Sequence, residues 1–177
     1  QRGQRVFLGQ VAQEAHDQAG RDRAVLAGAM DAVHHMFERD AARGVGLAQG
    51  SLRLATEYAQ LRETMGKPIC EHQAIQLKLG EMVTRARAAE LLTMDAAETY
   101  DRGERCDMQA GIAKYFASEA AVRNSEESMR VHGGYAYSKE YEIERYYRDS
   151  LLMCIGEGTN EMQRMIISKQ WIKQNPV

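Results

Sequence analysis

HQAIQLKLGEMVTRARAAELLTMDAAETYDR, residues 72–102, decides the fold. Ile75, Leu79, Met82, Ala86, Ala89, Ala96 and Tyr100 recur at helical spacing, which predicts a helix from about His72 to Arg102 with one buried face. Gly103 ends it. Upstream, a long helix is expected from about Ala24 to Glu63. Gly44, Gly46 and Gly50 weaken that helix locally and permit close helix packing. Gly66-Lys67-Pro68 ends it, with Gly66 read as a left-handed C-cap. Downstream, Asp107 is read as the N-cap of a third helix reaching about His132, with Ile112, Phe116 and Ala120 in one stripe and Tyr115 and Val122 beside it. Gly133-Gly134 stops that helix. A short helix around Glu140–Arg148, a loop at Glu157 and a last helix from Asn160 to about Lys173 follow. Long helices joined by short turns pack as antiparallel neighbours, so the expected fold is all-α, an up-and-down four-helix bundle. Residues 24–177 are assigned to it. Residues 1–23 read as an arm or the remnant of a preceding β-domain, with Val6–Leu8 as one short strand.

Composition agrees. The 177 residues suffice for one domain, and 44% hydrophobic with 27% charged residues is ordinary for a globular chain. Two prolines, three phenylalanines and one tryptophan leave a helix-favouring mixture. A net charge of −2 gives no reason to expect nucleic acid. No apolar run approaches the roughly 20 residues of a membrane span. Cys70, Cys106 and Cys154 are odd in number and lack C-x-x-C spacing, and read as reduced, intracellular and mostly buried. The opening Gln1-Arg-Gly-Gln reads as that of a fragment or processed product.

Chemistry concentrates at LLMCIGEGTNEMQR, residues 151–164. Glu157 follows an apolar run and lies between Gly156 and Gly158. Apolar neighbours would raise its pKa, and glycines let backbone and ligand approach closely. Asn160 with Gln163 has capping-box spacing, and free N–H groups at a helix start suit an anion. A desolvated carboxylate beside an anion site suits proton abstraction next to a carbonyl; an ordinary helix start reads the same way. Arg62, Thr64 and Lys67 occupy a turn where Arg and Thr donors suit phosphate, or where basic residues complement a helix C-terminus. His34, His35 and Glu38 lack the further ligands a zinc site needs, so no metal is expected. Glu140–Asp149 reads as a solvated helix face with neighbouring ion pairs.

These segments together resemble one family. RETMGK (62–67) with EHQAI (71–75), AKYFASEAA (113–121), VHGGYAY (131–137), ERYYRD (144–149) and IGEGTNEMQR (155–164) are similar, in order and spacing, to motifs of the acyl-CoA dehydrogenases. The resemblance covers roughly residues 41–173 and implies the C-terminal helical domain of an FAD-dependent oxidoreductase acting on an acyl-CoA thioester. It implies Glu157 as the base that removes the α-proton while hydride passes to flavin N5. Arg62, Thr64 and Met65 would meet the FAD pyrophosphate and adenine end, Ile69 and Gln73 would flank the adenine, and Gly134, Thr159 and Glu161 would lie along the cofactor. It further implies a homodimer or dimer of dimers, an electron-transfer flavoprotein or similar acceptor, and a cytoplasmic or mitochondrial-matrix setting.

The chain departs from the family pattern at several of these positions. Met65 stands where an aromatic is usual, Arg130 where Gln is common, and Ala136 where a second turn glycine is. Gly156 replaces a frequent Tyr and, with Gly158, leaves space beside the thioester for a branched or carboxylated acyl chain. The slots of the CoA-facing Asp and Arg hold His34 and Phe37, with Arg39 as a possible substitute and Phe37 as a substrate contact. Glu38 is the second candidate for the base. The alternative function is a truncated or non-catalytic assembly and cofactor-binding subunit.

Overall fold

A computed structural model of the chain describes residues 39–177, which lie in one compact unit. The boundary after residue 23, the strand at Val6–Leu8, and His34, His35, Phe37 and Glu38 fall outside the described residues. The described part of helix α1 covers 39–61. A two-residue-per-strand hairpin follows, β1 (Glu63–Thr64) and β2 (Lys67–Pro68), then a single 3-10 turn at Ile69–Glu71. Helices α2 (Gln73–Asp101), α3 (Asp107–His132), α4 (Ile143–Ile155) and α5 (Asn160–Gln174) complete the fold.

The all-α expectation holds, and α2, α3 and α5 start and stop within two residues of their expected ends. Gly103, at φ +69°, ends α2, and Gly133, at φ +62°, ends α3. Gly66 is left-handed too, at φ +80°, but it forms a hairpin corner with Met65 at φ +52°. The expected C-cap role is therefore corrected: α1 has already ended at residue 61. The N-cap of α3 is Cys106, one residue before the expected Asp107.

Helix α3 is the central column. Ala41 and Ala48 of α1, Ala86, Ala89 and Ala96 of α2, and Ala113, Ala117 and Ala120 of α3 form one buried layer. Alanine cores let backbones approach closely. A Cβ on Gly44 would lie 2.9 Å from the Ala117 carbonyl carbon, and one on Gly50 would collide with the Tyr146 ring. Gly46 faces open space, so close packing applies to two of the three glycines. A second layer joins Ala55, Ala59, Ile69, Met82 and Val131. Because α3 is surrounded, its small residues are buried on more than the one expected stripe, including Ala110, Ser118, Ala121, Ser125 and Ser128.

Cross-helix contacts fix the directions. Lys78 pairs with Glu127 and Arg85 reaches Asn124, so α2 is antiparallel to α3. Ser125 bonds Ser150, while Lys114 and Ser118 meet Asn160 and Gln170 meets Asp107. Thus α4 and α5 both run against α3, and in the same sense as each other. The bundle has four columns, and the fourth is one interrupted helix, broken between Ile155 and Asn160. The four columns therefore alternate in direction, as expected of an up-and-down bundle, and only the continuity of the fourth is broken.

Candidate functional site

The break carries Glu157. Helix α4 persists to Ile155, well past the expected Arg148, so the apolar run before Glu157 is helical. Its Leu151, Leu152 and Ile155 are exposed. Glu157 at φ +50° and Gly158 at φ +98° then turn the chain through two consecutive left-handed residues. Gly156 has φ −63° and ψ 150°, a conformation open to any residue. The backbone angles call for glycine at 158 but not at 156, where a Cβ would instead stand close to the Leu152 carbonyl oxygen, at 3.2 Å.

The Glu157 side chain is 38% exposed and its Oε1 stands 3.7 Å from Nη1 of Arg43. The expected desolvation by the preceding apolar run is therefore corrected: that run turns outward on a helix, and an arginine faces the carboxylate. Arg43 also donates to Asp40 at 3.0 Å, and Asp40 is 3% exposed. Arg43 forms one wall of an open groove between α1 and α4, lined further by Gly46, Leu47, Arg145, Tyr146 and Leu152.

The start of α5 differs from the expected capping box. Thr159 is the N-cap and its hydroxyl accepts from the Met162 N–H at 3.4 Å. Asn160 is buried inside the first turn. Its Oδ1 accepts from Lys114 Nζ at 3.1 Å and from Ser118 Oγ at 3.0 Å, and its Nδ2 donates to Glu119 at 3.0 Å. Gln163 is fully buried, with neither amide atom hydrogen-bonded. Glu161 lies in the first turn of α5, ion-paired with Arg164 at 2.9 Å.

Lys114 is the residue the motif reading passed over. It is 1% exposed, and its Nζ donates to the Gly158 carbonyl at 2.7 Å. Burial holds its pKa below the ordinary lysine value, with Asp40 acting against the shift. The one available signal was a lysine among alanines in AGIAKYFA (110–117).

A second group of expected site residues gathers at the other end of α1. Arg62 lies 5.9 Å over the Tyr135 ring, which brings the hairpin beside the Gly133-Gly134 turn. Thr64 Oγ1 is 3.1 Å from His72 Nε2. Met65 is 95% exposed, and Gln73 and Gly134 are exposed. Ile69 is instead 7% exposed and packs with Met82 and Val131, so its side chain belongs mainly to the core. An exposed guanidinium, a hydroxyl and an open glycine turn are a donor set that suits a dinucleotide phosphate. Arg43 and residue 61 are 18 residues apart on α1, about 27 Å at 1.5 Å per residue. Glu157 and the Arg62 turn therefore lie at opposite ends of the described part of α1. Among the described residues no cluster fits a metal ion, and no helix is long and apolar enough to cross a membrane.

Comparison with known proteins gives the class. Residues 26–172 match the family model for the acyl-CoA dehydrogenase C-terminal domain. The chain is 46% identical over 129 residues to an acyl-CoA dehydrogenase of Bacillus subtilis, covering 73% of this chain and 34% of that one. It is 44% identical over 133 residues to the 3-(aryl)acrylate reductase of Clostridium sporogenes, covering 75% and 35%. The structure of butyryl-CoA dehydrogenase from Megasphaera elsdenii superposes with a TM-score of 0.80 at 37% identity, over 81% of this chain and 38% of that one. The chain belongs to the acyl-CoA dehydrogenase family through its C-terminal helical domain. It spans about a third of the length of these relatives.

Proposed function

We propose that the chain supplies the catalytic helical domain of an FAD-dependent acyl-CoA dehydrogenase, with Glu157 as the base for the α-proton. The observation that carries this is the break in the fourth column. It lifts one carboxylate out of helical register, between two helix ends, at the position where the family's signature puts a base. Glu157 takes the α-proton of the thioester, and its own N–H is a donor for the thioester carbonyl, which makes that proton acidic. FAD, when bound, supplies acceptance of the β-hydrogen as hydride. In the reductive direction, which the name of the Clostridium relative indicates for that protein, the protonated Glu157 returns the proton to the α-carbon.

Glu157 is 38% exposed in this chain, and the bound acyl group would help remove water from the carboxylate. Arg43 then holds the free carboxylate until substrate enters. Arg62, Thr64, Met65, Gln73 and Gly134 would hold the pyrophosphate and adenine end of FAD, with Ile69 contributing only its exposed edge. Thr159, Glu161 and the 156–158 turn would meet the reacting end. Because the two groups lie at opposite ends of the described part of α1, each FAD is proposed to draw on two copies of the chain. An electron-transfer flavoprotein or similar protein is the proposed electron acceptor.

Turnover of Glu157→Gln in the flavin-loaded product of the full reading frame tests the reading. The expected loss is about 10²–10⁴-fold, the usual contribution of a positioned base, with FAD still bound. Unchanged turnover would exclude Glu157. The exposed carboxylate favours one other reading, an assembly subunit without turnover of its own. Stoichiometric FAD together with acyl-CoA oxidation would eliminate that alternative.

A further inference from the structure

We propose that Lys114 is the positioning residue for Glu157, its buried ammonium clamping the Gly158 carbonyl at the break in the fourth column. The proposal rests on the reading of Glu157 as the base.

A broken helix leaves carbonyls without partners at the end of one segment and N–H groups without partners at the start of the next. Water satisfies such groups at an exposed end. Here the inner side of the break faces α3, and Lys114 reaches it from the middle of that helix. Its 2.7 Å bond to Gly158 O fixes the carbonyl immediately after the two left-handed residues. The bond to Asn160 Oδ1, shared with Ser118, ties the first turn of α5 to the same point. A left-handed glutamate persists only where its surroundings hold it. These bonds restrain the rotation at 157 and 158 that would swing the carboxylate away.

A buried carboxylate lies near enough to act electrostatically on Lys114 without touching it. Asp40, 3% exposed, has an Oδ2 atom with no hydrogen-bond partner, while its Oδ1 accepts from Arg43. Arg43 in turn faces Glu157. The loop is thus held from inside by Lys114 and met by Arg43, which Asp40 pairs in turn. A methionine would fill the lysine's space at no desolvation cost. An ammonium in this place is explained by the carbonyl it holds.

The test compares wild type, Lys114→Met and, as a control, Lys169→Met on the exposed face of α5. In Lys114→Met, amide hydrogen exchange at Glu157, Gly158 and Asn160 is expected to accelerate about tenfold or more while the α2 amides keep their protection. In the flavin-loaded full-length enzyme, kcat is expected to fall about 10²-fold with KM little changed, because the base is displaced and binding is not. Loop exchange at the wild-type rate, or a change in KM without one in kcat, would overturn the clamp. Should Lys114→Met not fold, the wild-type protein still decides. A solvent-protected Nζ signal with a coupling across the hydrogen bond to the Gly158 carbonyl is expected in its NMR spectrum, and absence of that coupling would overturn the proposal. Glu157→Gln with full activity would defeat the base reading alone; the exchange measurement would still judge the clamp.

Discussion

His132 closes α3 as a buried imidazole. It stacks on Tyr58 at 4.3 Å, meets Tyr141 edge-on, and donates from Nδ1 to the Ser128 carbonyl at 2.7 Å. Burial lowers its pKa below the ordinary histidine value, against the opposing pull of that carbonyl. Between the depressed folded value and the ordinary value of about 6.5, the unfolded chain binds a proton that the folded chain refuses. Stability therefore rises with pH across this window, and acidification below about 6.5 costs stability until the folded value is passed. The expected outcome is a Tm that falls as pH drops from 7 towards 5, with a shallower fall in His132→Phe. Parallel curves would remove His132 as a source of the acid sensitivity. At this scale the sequence was uneven. The turns that carry Glu157, Arg62 and Gly134 were legible because glycine and charge mark turns. Lys114 was not, because burial of a lysine depends on a loop 44 residues further along the chain. Thr159 and Asn160 are both good caps, and Lys114, Ser118 and Glu119 of α3 take the asparagine inside, which leaves the cap to Thr159.

At the scale of elements, α1 shows how small residues set spacing. Gly44 lies against the Ala117 backbone of α3 and Gly46 against nothing. A methyl group at 44 must separate two packed helices, so Gly44→Ala is expected to lose about 1–3 kcal/mol. Gly46→Ala removes only a helix-interior glycine and is expected to gain about 0.5–1 kcal/mol. Denaturant midpoints at constant m would report the pair; equal changes at the two sites would contradict the close approach of α1 and α3. The ends of α2 and α3 could be read from Gly103 and Gly133, where only a left-handed turn fits. The length of α4 could not. Glu144 with Arg148 advertises a charged helix, whereas Leu151–Ile155 carries no polar marker and reads equally as strand, loop or helix. The hairpin at 63–68 leaves no strand signature in the sequence because its strands are two residues long.

For the whole molecule, bundle topology was legible from helix lengths and short turns, but the joining of α4 and α5 into one column was not. Only the contacts of α3 with Ser150 and Asn160 show that the chain continues in the same direction across the glycine-flanked loop. That continuation leaves Glu157 far from the Arg62 turn in the same chain. If each cofactor site joins the two ends from different copies, Arg62→Ala and Glu157→Gln chains are each impaired, yet they complement when mixed. In a two-fold dimer a mixed pair has one intact site, so random mixing is expected to restore about a quarter of wild-type activity. No recovery from folded, exchanging subunits would place both groups in one chain's site. The most direct test of the central assignment is solvent deuterium wash-in at the α-carbon of a saturated acyl-CoA, followed by mass spectrometry with the flavin-loaded protein. Wild type is predicted to incorporate deuterium and Glu157→Gln to incorporate almost none; incorporation at the wild-type rate in the variant would contradict the account.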